Sequence, residues 1–421
     1  MTLTAPITSA APAITAPVRG RARLQSIDLV RGAVMVVMVL DHTRDFVHNV
    51  AFAFDPTDLT RTTTLLFLTR WITHYCAPTF VFLAGVSAYL QRARGATTAE
   101  LSRFLFTRGL WLVVLEFTAV RAGTWFNVDY AFLGVMQVIW AIGVSMIVLA
   151  GLVYLPFAAI AVFGIGMIAT HNLLDGIHVQ GWQGPGSPVP GIGARLWMIL
   201  HQGNEFFPVF SWPGPVVLLF YPLVPWIGVM AAGYTFGRIY DRDPARRRRL
   251  LVRAGWGLIA AFAVIRATNI YGDPAPWSMQ PSAVFTLLSF VNTTKYPPSL
   301  LFLLMTLGPM MLALAWLEPR RLDSGPARAL ITFGRVPMFF YLLQWPVAHG
   351  LAIVASLLAG KSIDYYFISP PAFFTQVPPN AGFDLGVVYV CWISAIVILF
   401  FLCRWYADIK RRYPGSLLRY L

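Results

Sequence analysis

Arg31 and His42 stand on one apolar stretch, Ser26 to Val47, with ten residues between them in SIDLVRGAVMVVMVLDHTRDFV. Eleven helical steps of about 100° end about 20° past three full turns, so both side chains share a face, separated by roughly 16 Å along the axis. In a membrane-spanning helix one would lie near the inner interface and the other near the outer. A cation and a proton acceptor at opposite ends of one buried stripe fit a reaction that joins the two sides. Asp28 sits one turn before Arg31, so Arg31 is either an interfacial ion pair that snorkels to the cytoplasm or the holder of an anion such as the phosphates of a nucleotide-bearing donor. Intramembrane charges cost about 2.5–3.5 kcal/mol each on insertion scales, which is why each needs a reason.

His42 is followed by Arg44 and Asp45 and preceded by Asp41. A neutral imidazole beside a carboxylate suits a general base, and Asp45 at i+3 is better placed to orient it than Asp41, which a helix turns away. The plainer reading is a satisfied polar residue at a helix end. His74 lies one turn beyond Arg70 in TRWITHYCAPTFVFLAGVSAYL and is a second candidate base at similar depth. Asn292, Lys295 and Tyr296 add polar groups at the outer start of a later apolar run, and Gln344 falls within another, where helix association is its simplest role. Arg44, Arg70, Asn292, Lys295 and Tyr296 are the candidate acceptor-binding residues, and Arg70 or Lys295 the candidate stabiliser of a developing oxyanion. No common zinc spacing occurs, and no metal is expected.

These residues need a membrane bundle to hold them. The chain is 57% hydrophobic and only 12% charged, well below the soluble norm of about 25%. Apolar runs long enough to cross about 30 Å of hydrocarbon recur along its length. The expected fold is all-α: a polytopic integral membrane helix bundle of about ten transmembrane helices, near 26–47, 64–91, 102–121, 132–152, 156–172, 213–239, 250–270, 296–317, 330–357 and 384–406. Pro78, Pro222, Pro225, Pro337 and Pro346 fall inside these runs and predict kinks. With the N-terminus inside, about three quarters of the 32 Lys and Arg fall on the inner side, so both termini are expected to be cytoplasmic and the protein multi-pass in the cytoplasmic membrane. The net charge of +14 therefore reads as orientation, and nucleic-acid binding is excluded for want of a basic face or aromatic-basic module.

Residues 1–22, rich in Ala, Thr and Pro, lack an apolar signal core and read as a disordered cytoplasmic tail; 23–421 reads as one domain. Cys76, Cys391 and Cys403 all lie in apolar runs and make no disulfide framework. The largest outer loop, 173–212, holds His178, His201 and Glu205, and another, 358–383, contains YYFISPPAFF; both read as packed caps. No internal repeat is evident, which counts against a transporter of two related halves.

The Arg31–His42 pair resembles the arginine and histidine of the transmembrane acyltransferase superfamily. RLQSIDLVRGAVMVVMVLDH resembles the opening of bacterial relatives of heparan-alpha-glucosaminide N-acetyltransferase. THYCAPTFVFLAGVSAYL, YPLVPWIGVMAAGYTFG, KYPPSLLFLLMTLGPM and FGRVPMFFYLL look like later segments of the same group. The resemblance implies an acyltransferase that takes an acetyl or short acyl group from cytoplasmic acyl-CoA to an extracytoplasmic acceptor, a sugar hydroxyl or amine. It implies that Arg31, with Asp28 beside it, contacts the acyl-CoA donor. His42, with His74 and Asp45 as further catalytic candidates, would activate the acceptor or briefly carry the acyl group. Two departures stand out. The heparan branch carries a histidine in the loop after this helix, where His48 does not align, and many relatives have histidine where this chain has Gln344. Direct transfer and an acyl-enzyme both stay open. The remaining expected partners are membrane lipids, and a homo-oligomer is compatible with the apolar helix faces. The alternative class is a transporter or lipid-binding membrane protein without catalysis.

Overall fold

The computed structural model describes residues 24–368 and 377–413. The segment read as a disordered tail, 1–22, lies outside the described residues, as does the ISPPAFF loop from residue 369 on. The fold is mostly helical. Its first helix, α1 (Gln25–Val47), coincides with the long apolar stretch.

The second apolar run divides into α2 (Thr64–Trp71), a 3₁₀ turn over Ile72–Tyr75 and α3 (Cys76–Ala93). Pro78 has no N–H to give the preceding turn, so the chain tightens there instead of continuing as α-helix. Next come α4 (Thr98–Leu115), a π-helical turn over Glu116–Val120 and α5 (Arg121–Trp125). The run expected as one helix over 132–152 is instead β1 (Phe132–Met136) followed by α6 (Val138–Leu152). After α7 (Phe157–Thr170) the 173–212 segment carries α8 (Ile192–His201) and β2 (Glu205–Pro208). The run expected over 213–239 becomes β3 (Val216–Leu219) and α9 (Leu223–Phe236). The all-α expectation is thus corrected by a three-stranded sheet of order β1-β3-β2, with β1 parallel and β2 antiparallel to β3. All four β3 residues are buried, and an apolar strand buried on both faces has no period by which to tell it from helix. Pro215 and Pro222 bracket it.

The chain continues through α10 (Pro244–Thr268), α11 (Ala283–Val291), α12 (Leu300–Leu317), α13 (Gly325–Arg335), α14 (Pro337–Leu358) and α15 (Leu385–Arg412). The single helix expected over 330–357 breaks at Val336, because Pro337 pushes its predecessor out of helical geometry. Among the described residues, five helical segments are long and apolar enough to cross a membrane: Phe157–Leu174, Pro244–Thr268, Leu300–Leu317, Pro337–Leu358 and Leu385–Arg412.

Helix α1 packs against α13, α14, α15, α3 and α12, so its polar residues point into protein from several sides. Glycines set how closely the helices cross. A Cβ on Gly32 would lie 1.9 Å from the Leu330 carbonyl oxygen, and one on Gly334 1.9 Å from that of Asp28. Gly85 and Gly233 make the same reciprocal approach between α3 and α9, at 2.1 and 2.2 Å. Such backbone contact is how helices associate where apolar side chains gain little by leaving lipid.

Candidate active site

Arg31, Met35, Met38 and His42 recur at helical spacing along α1 and line two cavities in succession. The first, about 280 Å³, holds Arg31, Met35 and Met38 and is walled by α3, α4, α6 and the start of α14. The second, about 300 Å³, holds Met38 and His42 and extends to the α1–α2 loop. Met38, Phe80 and Val138 line both, so the two cavities adjoin across an apolar neck made of these three side chains.

At the first cavity Arg31 donates from Nη2 to the Leu83 carbonyl at 2.8 Å and to Ser87 Oγ. Ser87 Oγ in turn donates to Leu83 O at 2.7 Å. Arg31 also borders a larger cavity of about 990 Å³, where α13, the start of α14 and the end of α15 bring together Arg328, Arg335, Arg404, Lys410 and Arg411, with Asp408 the one acid lining it among the described residues. Cations gathered in this way around a cleft focus the field for a polyanion. Asp28, expected beside Arg31, is buried instead under α13, its Oδ2 4.0 Å from Arg335 Nε, and lines none of these cavities.

At the second cavity the His42 ring stacks on Trp345, centroids 3.8 Å apart and planes at 21°. Its Nδ1 is buried without a hydrogen-bond partner among the described residues. Asp45 does not orient it. Asp45 Oδ1 accepts from Arg44 Nη2 at 2.6 Å, and the same nitrogen reaches Asp41 Oδ1 at 3.1 Å. Arg70 pairs with the other oxygen of Asp41. Arg44, adjacent in sequence to Asp45 and one turn from Asp41, holds both carboxylates by proximity alone. The result is a buried acid–base cluster in which each carboxylate is paired, the condition under which charges persist in a low-dielectric interior. Lys295 faces the same cavity and makes no ion pair among the described residues; its ammonium lies 5.2 Å from the Tyr296 ring centroid. Tyr296 is held by Phe220, stacked at 5.7 Å, and by the edge of Tyr221.

His74 sits on the 3₁₀ turn between α2 and α3 and faces a third cavity of about 230 Å³ with Asn292, Thr293 and Thr294. Asp55, Arg70, Asn204, Lys295 and Tyr296 line both this cavity and that of His42. The two histidines are thus neighbours across a wall of Arg70 and Lys295, not partners in one pocket. Asn292 is engaged: its side chain donates to Thr57 O at 3.0 Å and its carbonyl accepts from Arg266 at 2.6 Å. Asn292, Lys295 and Tyr296 precede α12 rather than begin it, because Ser299 caps that helix by accepting from Phe302 N at 3.0 Å. Gln344 is fully buried, and its Nε2 contacts Met38 Sδ at 3.8 Å.

Trp345, Asp55, Asn204 and Tyr221 are site residues that sequence reasoning passed over. Asp55 follows α1 by a short loop and, as an acid between candidate bases, was within reach. Trp345, Asn204 and Tyr221 come from distant segments that only the packing unites.

A bundle with apolar helices long enough to span a membrane, and with two polar-tipped cavities meeting at an internal neck, defines a membrane-embedded protein built around a buried site. The chain belongs to the family described as heparan-alpha-glucosaminide N-acetyltransferase, catalytic, whose model matches residues 23–272. Its class is that of a membrane acetyltransferase. The match takes in Arg31, His42, Arg44, Asp45, Arg70 and His74, and three of the five resembling segments; Lys295, Gln344 and Trp345 lie beyond it. No curated protein matches the chain.

Proposed function

We propose that the protein moves an acetyl or short acyl group from cytoplasmic acyl-CoA, through the neck at Met38, to a hydroxyl or amine of an extracytoplasmic acceptor, with a sugar the fitting class. On this proposal 23–421 is one domain in the cytoplasmic membrane, shorter apolar helices join the five long ones to make about ten spans, both termini are cytoplasmic, and Arg31 lies inward and His42 outward. The single observation that carries it is the meeting of two cavities on one helix stripe, with Arg31 in one and His42 in the other.

The basic cavity at α13 and α15 takes the nucleotide phosphates, and Arg31 holds the donor where the acyl arm enters the first cavity. The thioester carbonyl comes to the neck. The acceptor, lying among Arg44, Arg70, Asn292, Lys295 and Tyr296, presents its O–H or N–H to His42. His42 takes that proton as the acceptor oxygen or nitrogen bonds to the carbonyl carbon. The oxyanion that forms faces Lys295, among the described residues the one cationic side chain of the second cavity not already paired with a carboxylate. As the carbonyl re-forms, the C–S bond breaks, and the CoA thiolate leaves inward and takes up a proton. His42 is the stronger base candidate because it shares the donor neck, whereas His74 does not. In the acyl-enzyme variant His42 itself bonds to the acyl carbon, and the acceptor attacks in a second step.

Acetyl-CoA binding and turnover by the purified protein test this. Arg31→Ala is expected to weaken acetyl-CoA binding at least about tenfold, the loss of one charged hydrogen-bonding partner. His42→Ala should leave donor binding in place and lower turnover about 10²–10⁴-fold. Wild-type protein that binds no acyl-CoA would sink the reading in favour of a transporter. A labelled acetyl group retained on wild-type protein without acceptor, and absent from His42→Ala, would select the acyl-enzyme.

A further inference from the structure

A second polar cluster lies apart from these cavities, where the end of α7 meets α8. His171 opens the 3₁₀ turn that extends α7, Asp175 caps that turn four residues on, and His201 is the last residue of α8. His171 and His201 are 2% and 3% exposed. His171 Nδ1 lies 3.4 Å from His201 Nε2, and His201 Nε2 lies 3.8 Å from Asp175 Oδ1. One ligand atom from each of the three falls within 4.8 Å of the others.

A hydrogen bond between the two imidazoles at 3.4 Å accounts for part of this convergence and leaves the approach of the carboxylate unexplained. The His201 Nε2 carries at most one proton, yet an imidazole nitrogen and a carboxylate oxygen both approach it. The 3.8 Å separation is too long for a hydrogen bond to the carboxylate. A tetrahedral zinc with bonds near 2.0–2.1 Å holds its ligand atoms about 3.4 Å apart, the spacing of the two histidine nitrogens. The supporting contacts also fit. Asn172 Nδ2 donates to Asp175 Oδ2 at 2.8 Å, leaving Oδ1 directed at His201. Asn172 is itself fixed by accepting from Leu300 N at 2.9 Å, at the start of α12. A carboxylate oriented by an amide behind it is the usual outer shell of a metal ligand.

We propose that His171, Asp175 and His201 form a site for a divalent cation of the zinc class, with water in the fourth position. Two imidazoles and one carboxylate suit zinc better than magnesium or calcium, which prefer all-oxygen shells. The ion ties the end of α7 to α8 and so pins the 173–212 segment, which carries β2, to the helix bundle. Its ligands are 26 residues apart or more between the two arms, a spacing that no short zinc pattern covers.

The test uses the full-length purified protein, stripped with a chelator and then titrated with Zn²⁺ or Co²⁺. The expected result is uptake of one equivalent, visible d–d absorption of tetrahedral Co²⁺, and a higher melting temperature with the metal bound. The His171→Ala/His201→Ala double variant should lose all three effects while eluting as the same species. Asp175→Asn, a milder change at the half-buried ligand, should weaken Zn²⁺ binding at least about tenfold. Wild-type protein that takes up neither Zn²⁺ nor Co²⁺ stoichiometrically overturns the proposal without reference to any variant. Equal uptake by a well-folded double variant overturns it as well.

Discussion

Lys295 is the residue whose role the packing sharpens most. From the sequence, Arg70 and Lys295 compete as the cation facing a developing negative charge. Arg70 is bonded to Asp41, so an oxyanion there would have to compete with a carboxylate already in place. Lys295 lines the same cavity with no ion pair among the described residues. Lys295→Met, which keeps the stem and removes the charge, is expected to lower kcat about 10²-fold with little change in acetyl-CoA affinity, as loss of one oxyanion donor does. Steady-state kinetics beside a donor-binding isotherm check this. Equal loss on Arg70→Met with Lys295→Met silent would reverse the assignment. Asp45 is the counterexample at this scale. Its i+3 spacing to His42 looked right, yet Arg44 takes it, because a guanidinium out-competes a neutral imidazole for a buried carboxylate.

Helix α1 is positioned by its contacts with α13, and those contacts depend on hydrogen in place of a side chain. Gly32 follows Arg31 directly, and Gly334 precedes Arg335. A Cβ at either would enter the partner's backbone carbonyl, and a backbone atom cannot swing aside as a side-chain tip can. Gly32→Val is therefore expected to cost more than about 3 kcal/mol and to displace Arg31 with it. Thermal melting of the detergent-purified variant measures the first effect. A melting temperature equal to wild type would show that α1 and α13 do not pack as described. The turn between α2 and α3 is a second positioning element. A straight helix would rotate the residues beyond Trp71, and the 3₁₀ turn instead holds His74 toward the third cavity.

Across the whole molecule, the neck formed by Met38, Phe80 and Val138 divides the cavity of Arg31 from that of His42. Those three residues come from α1, α3 and α6, and the neck exists only when all three helices are in place. Met38→Trp should fill it. The expected outcome is acetyl-CoA binding near the wild-type level, with acyl transfer reduced about 10²-fold by misplacement of the thioester. Donor binding and transfer lost together would mean that the first cavity alone is the site. Full transfer would mean that the acyl group takes another path. A methionine side chain is unbranched and adapts readily, so Met38 suits a neck that, on the proposed function, admits a small acyl group and closes behind it.

Some of this protein follows from its sequence alone. The apolar runs, the scarcity of charge and the five resembling segments specify a helical membrane protein of acyltransferase type. The spacing of Arg31, Met35, Met38 and His42 specifies one stripe of α1, because helical periodicity is a local property. The tertiary structure decided what local rules do not reach. It made strands of Phe132–Met136 and Val216–Leu219, where uniform burial erases periodicity and pairing between distant segments supplies the backbone hydrogen bonds. It set His42 against Trp345, more than 300 residues away, gave Asp45 to Arg44, and placed His74 in a different cavity from His42. It also brought His171 and His201 together across a loop whose composition marks only turns. In each case the outcome depends on which charges and surfaces compete for one buried volume, and that competition has no representation in residue order.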